Sequence, residues 1–97
     1  MENYFVYMIT NRMNNLIYVD IINDRAIKFL VGSNTLIDSY AKNHKINKLV
    51  FYESRSDIIT AIKREKEIRN LSRDKKRKLV ETTNPGWMNL MNQLMTQ

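Results

Sequence analysis

The sequence predicts an α+β domain, a small three-stranded and mainly antiparallel sheet flanked by helices. Three features predict it. Two runs rich in Ile, Val, Tyr and Phe, residues 4–9 and 16–22, flank a polar, Asn-rich break at 11–15, the pattern of a β-hairpin. A third such run, NKLVFYE, occupies residues 47–53. Capped segments with helical content follow both the hairpin and the third run. With 97 residues there is room for one core, so a single domain over residues 1–97 is expected.

The hairpin comes first, and its register decides which side chains meet. A loop of residues 11–14 would pair Thr10 with Asn15 and set Tyr7 opposite Tyr18. Both phenols would then share a face with Phe5, Ile9, Leu16, Asp20 and Ile22. A loop one residue longer would put the two tyrosines on opposite faces. Such a pair also has a plain role, as cross-strand packing.

Next come two short helices, residues 25–31 behind an Asn23–Asp24 cap and residues 35–43 after a Gly-Ser-Asn stop. After the third strand, Ser54 and Ser56 offer caps for a longer helix over 57–70. Ser72 can cap another from Arg73 to about Glu81. Asn84–Pro85 reads as a cap with proline at the first helical position. Trp87, Leu90, Met91 and Leu94 then fall at helical spacing, as one docking stripe on the rest of the domain. The methionines read as gap fillers.

Composition narrows the function classes. An apolar share of 43% supports a core despite 27% charged residues. The absence of cysteine excludes disulfides and thiolate metal sites. No apolar run is long enough to span a membrane and no signal pattern opens the chain, so a cytoplasmic protein with no membrane role is expected. The net charge of +6 lies entirely in residues 61–80, where nine basic groups face three acidic ones. Lys63, Arg64, Arg69, Arg73, Lys75, Lys76, Arg77 and Lys78 are the candidate contacts to a nucleic acid. A solvated face that only keeps the protein soluble is the other reading.

One residue breaks the pattern of the helix over 57–70. Ile58, Ala61, Ile62 and Ile68 form a stripe, and Glu65 projects from its middle. A carboxylate aimed at a sheet needs an ion pair, hydrogen bonds or a cation. Tyr7, Tyr18, Asp20 and Lys28 are its candidate neighbours, and a structural pair and a Mg²⁺ ligand are the two readings.

In order along the chain, these segments resemble the GIY-YIG nucleases, specifically their small single-domain bacterial members. Phe5–Val6–Tyr7 stands at the first motif and Tyr18–Val19–Asp20 at the second. Thr10–Asn11 matches a dipeptide common after the first strand, and the run from Lys48 to Glu53 resembles the third strand. The helix around Glu65 resembles the one carrying the metal-binding glutamate, and Asn84–Pro85–Gly86–Trp87 the C-terminal asparagine-proline-tryptophan segment. The resemblance covers roughly residues 3–94 and implies phosphodiester hydrolysis. Tyr7, Tyr18 and Lys28 would be catalytic, Glu65 would hold Mg²⁺ or Mn²⁺, and Asp20 and Asn84 would line the site.

Three positions depart from the family. Asp20 replaces the glycine that ends the second motif, Lys28 stands at the arginine, and Gly32 at the histidine. Asp20 adds negative charge where a phosphate should approach, and Lys28 lacks the bidentate fork. His44, the only histidine, reads as a surface residue. The expectation is a nuclease-family domain that binds nucleic acid, DNA before RNA, with cleavage weakened or lost, as a monomer or weak homodimer. An active divalent-metal-dependent DNA endonuclease and a protein-interaction domain are the alternatives.

Overall fold

A computed structural model describes residues 3–25 and 46–96. The expected helices over 25–31 and 35–43 lie, but for Arg25, outside the described residues, as do Lys28, Gly32 and His44. Three strands, β1 (Tyr4–Asn11), β2 (Ile17–Asn23) and β3 (Ile46–Arg55), form an antiparallel sheet in the order β2-β1-β3. Three helices follow, α1 (Ile58–Arg69), α2 (Arg73–Thr83) and the short α3 (Met91–Met95). This is the expected α+β class.

Strand β1 is central and buried on both faces from Phe5 to Thr10, because elements pack on each side of it. One face carries Phe5, Tyr7, Ile9, Ile22 and Leu49, with Tyr18 and Tyr52 at its margin, and is covered by Leu90, Met91 and Leu94. The other carries Val6, Met8, Val19, Val50 and Phe51, and is covered by Ala61 and Ile68 of α1, Val80 of α2, and Trp87.

The hairpin register differs from the expected one by two residues: Tyr7 lies opposite Asp20, and Tyr18 opposite Ile9. The reason is a wider loop. Asn11 Oδ1 accepts hydrogen bonds from the backbone N–H groups of Asn15 and Leu16, at 3.0 and 3.2 Å, and so closes a turn that runs on to Leu16. A shift of two preserves parity, so Tyr7 and Tyr18 still share a face as diagonal neighbours.

Two further boundaries differ from expectation. Helix α1 is capped by Asp57, not by Ser54 or Ser56. The Asp57 carboxylate accepts from the Thr60 N–H at 2.9 Å, and a carboxylate at a helix N-terminus also meets the favourable end of the dipole. Ser72 caps α2 as expected. The chain does not enter a helix at Pro85. Asn84 ends α2, its N–H bonded to Val80 O at 2.8 Å, and the backbone turns there.

That turn splits the expected C-terminal stripe. Trp87 adopts a left-handed φ of 53°, disfavoured for a bulky residue. Its ring is nonetheless buried, stacked under the Arg77 guanidinium at 4.9 Å, with Nε1 donating to Glu81 at 2.9 Å. Trp87 therefore packs on one face of the sheet, while Leu90 and Leu94 pack on the other. The segment between runs along β3, where Asn89 Oδ1 accepts from Leu49 N at 3.1 Å and Leu90 N donates to Leu49 O at 2.7 Å. These bonds occupy backbone groups on an edge that would otherwise invite pairing with another chain. They fall beside a β-bulge, where β3 shifts register opposite Met8 and Ile9.

Glu53 and Arg64 tie β3 to α1 with a two-point fork, Nε to Oε2 at 2.8 Å and Nη2 to Oε1 at 2.9 Å. Hydrogen bonding from Arg64 outweighs partial burial and, with the charges of Arg64 and Arg55, holds the Glu53 carboxyl below its ordinary range. A folded value below the unfolded one gives stability that is full above about pH 4.5 and is lost as pH falls through the folded value. Glu53→Gln is expected to cost about 1–2 kcal/mol at pH 7 and to flatten the acid limb of the stability curve. Urea unfolding at pH 7 and pH 3 checks this; an equal loss at both would refute it.

Candidate nucleic-acid interface

The residues singled out from sequence fall into three places. Tyr7, Tyr18 and Asp20 form the first, on the face shared with Leu49 and Leu94. Asp20 sits directly across from Tyr7. Its Oδ1 accepts from Ile21 N at 2.8 Å, and its Oδ2 takes a long hydrogen bond of 3.4 Å from the Tyr18 hydroxyl. Burial, then the Asp20 charge, the neighbouring Tyr18 and a hydrogen bond to Asp20 push the Tyr7 phenol far above the usual tyrosine range. Tyr7 is thus a neutral donor, not a phenolate that could draw a proton from water.

Glu65 forms the second place. It is 6% exposed and points with Ala61 and Ile68, because i−4 and i+3 neighbours share one side of a helix. Those two residues pack on Val6, Met8 and Val19. Side chains alternate along β1, so Glu65 and Tyr7 approach the sheet from opposite faces. Glu65 is therefore not aimed at the two phenols, contrary to the expectation from spacing: β1 runs between them.

The Glu65 carboxylate is ion-paired one turn on with Arg69. Its Oε1 has no hydrogen-bond partner, because the guanidinium is close without being aligned for one. Arg69 also reaches the Val19 carbonyl, at 3.5 Å. Among the described residues there is no group of three His, Cys, Asp or Glu side chains. One carboxylate can hold Mg²⁺ together with waters and a substrate phosphate, but the Glu65 carboxylate is faced by the Arg69 guanidinium, so as placed it does not fit Mg²⁺ or Mn²⁺. Two measurements check this. Adding Mg²⁺ is expected to leave the melting temperature unchanged, whereas a resident metal would raise it. Glu65→Met is expected to be neutral or mildly stabilising, because it removes a buried carboxylate and the Arg69 side chain left behind is 58% exposed, so its charge stays solvated.

Asn84 is the third place, and it does not line an open surface. It is 4% exposed. Its amide donates to Val50 O at 3.1 Å and Met88 O at 2.9 Å, and its carbonyl accepts from Met88 N at 2.9 Å. All of its side-chain polar atoms hold the turn after α2 against β3.

The basic window divides by residue type. Arg64 is held by Glu53 and Glu67, and Arg69 by Glu65. Arg73 donates to the Asn15 carbonyl, and Arg77 to the Asn14 carbonyl at 2.8 Å, so both grip the hairpin loop. The arginines therefore build the fold, in keeping with a planar fork that suits fixed acceptors. Lys63, Lys66, Lys75, Lys76 and Lys78 have no ion-pair partner among the described residues. All but the half-buried Lys76 are exposed.

The sequence reading missed that α2 clamps the β1–β2 loop. Arginines at i and i+4 are the only signal for it, since the carbonyls they reach lie about sixty residues away. Among the described residues, no helix is long and apolar enough to cross a membrane.

No family model matches the chain, and no curated protein matches it significantly. Its fold is similar to the solution NMR structure of a UPF0213 protein from Bacillus halodurans, with a TM-score of 0.60 and 22% sequence identity. The match covers 90% of this chain and 92% of that one. The three-stranded antiparallel sheet with its flanking helices is thus a fold this chain shares with that bacterial protein.

Proposed function

We propose that this chain is a GIY-YIG-like domain that binds nucleic acid, DNA before RNA, through the lysines of α1 and α2, and that it no longer cleaves it. One observation carries the reading. Of the acidic groups near these lysines, Glu53 and Glu67 are paired with Arg64 and Glu65 with Arg69, Glu81 accepts from the Trp87 indole, and Asp74 in the first turn of α2 is the acid set directly among them. Lys63, Lys66, Lys75, Lys76 and Lys78, without ion-pair partners among the described residues, outnumber Asp74 and Glu81 and form a net positive surface that a polyanion would neutralise. The fold likeness to a UPF0213 protein is consistent with the resemblance of the motifs. Three features support the loss of cleavage: the sheet that separates Glu65 from Tyr7, the guanidinium facing Glu65, and a carboxylate at Asp20 that would repel a phosphate.

Fluorescence anisotropy with a short labelled duplex tests binding. Affinity is expected to fall steeply between 50 and 200 mM salt, with a log–log slope of about −3 to −5 for three to five lysine–phosphate contacts. Affinity that does not change over that range sinks the reading. Incubation with Mg²⁺ or Mn²⁺ is expected to leave DNA intact. Cleavage that disappears on Glu65→Gln would instead restore the active endonuclease.

A further inference from the structure

The tip of the β1–β2 hairpin presents Arg12 and Met13 outward, with Met13 75% exposed. The backbone beneath them is stiff. Asn14 occupies the left-handed region at φ 57°, a conformation asparagine tolerates. Its N–H donates to Asn11 O at 3.0 Å, and Asn11 Oδ1 binds the next two N–H groups. From the other side, Arg73 and Arg77 hold the carbonyls of Asn15 and Asn14. The loop is thereby tied to α2 at Asn14 and Asn15, and Lys76 lies between those two arginines in sequence, one turn from Arg73. An apolar side chain is thus held on a tied-down tip beside α2, where five basic residues stand against Asp74 between positions 73 and 78.

We propose that Met13 is a wedge that enters the base stack of a duplex at a step already weakened by a mismatch, while the α2 lysines hold the phosphates on either side. The inference rests on the nucleic-acid reading above. Its chemistry is specific to the tip. Methionine is unbranched and polarizable, and fills irregular gaps. Apolar side chains of this kind are inserted between base steps by duplex-bending proteins. Unstacking is least costly where pairing is already broken, which selects the mismatched step. Ordering the loop before binding removes part of the entropy cost, and Arg12 beside Met13 places a cation toward the backbone.

The test uses the full chain and two short duplexes carrying 2-aminopurine, one beside a single mismatch and one fully matched. The mismatched duplex is expected to bind roughly tenfold more tightly, since the broken pair lowers the unstacking cost, and its 2-aminopurine fluorescence is expected to rise on binding. Met13→Ala should abolish both the rise and the preference, and leave affinity for the matched duplex unchanged. Met13→Leu should restore both. A Met13→Ala chain that keeps the fluorescence rise overturns the wedge and leaves the lysine reading standing. Equal binding of the two duplexes by the wild-type chain, with no rise, does the same. A wild-type chain that binds neither duplex overturns both.

Discussion

Replacing Lys75, Lys76 and Lys78 with glutamate is expected to reduce affinity for duplex DNA by about 10³ at 50 mM salt. The magnitude follows from counterion release: with a slope of about −0.9 per phosphate contact, dilution from 1 M to 50 mM salt makes each contact worth roughly 15-fold. Three contacts multiply to the stated loss, and the introduced negative charges add repulsion. The salt slope itself should become shallower by about three. Stability should not move, because none of these lysines has an ion-pair partner among the described residues. Anisotropy titrations at several salt concentrations, with a thermal melt of the same variant, check both halves. Undiminished affinity in a folded triple variant would show that α2 is merely a solvated face. The parallel change of Arg73 and Arg77 is no substitute, since it would also release the hairpin loop that they grip.

Asn84→Ala is expected to be the most destabilising single substitution considered, by about 3 kcal/mol. It strands the buried carbonyl of Val50 and the partly buried carbonyl and N–H of Met88, and a buried group left unpaired costs about 1–3 kcal/mol, a partly buried one less. For a domain of this size, that corresponds to a fall in melting temperature of about 12–25 °C. Asn84→Asp should be no better, although it is nearly the same size. Its second oxygen would face two carbonyl oxygens where the amide offers donors. Thermal or urea unfolding of both variants gives the answer; a loss below about 1 kcal/mol for the alanine variant would mean the turn finds other partners or water. A site-lining asparagine, the role expected from the motif, would instead affect binding and leave stability nearly intact.

The α2 lysines and Asn84 show where reading the chain succeeds and where it stops. The density of charge between residues 61 and 80 is a local property, and its location on α1 and α2 follows from helical periodicity. Which of those charges remain available is not local. Arg64 is occupied by Glu53, eleven residues earlier, and Arg77 by a carbonyl sixty-three residues earlier. Asn84 carries the same lesson. Asn-Pro reads as a helix start because capping is a short-range rule, but the side chain satisfies β3 across the fold, and that contact ends one helix without beginning another.

The Glu65 position separates the two kinds of information most clearly. Its inward direction is determined by spacing alone, since 3.6 residues per turn place it between Ala61 and Ile68. The shared face of Tyr7 and Tyr18 is likewise set by parity along two strands, and it survived a register shift of two. What spacing does not contain is the side of the sheet on which α1 lands. A helix stripe specifies that it packs on a sheet face but not on which one, and the tertiary structure put α1 over Val6 and Met8, not over Tyr7 and Ile9. The sequence by itself determined the strands, the inward carboxylate and the basic surface, all written in short-range periodicity. Only the folded chain decided which groups meet, because two faces of one strand are equally legible in sequence and mutually inaccessible in space.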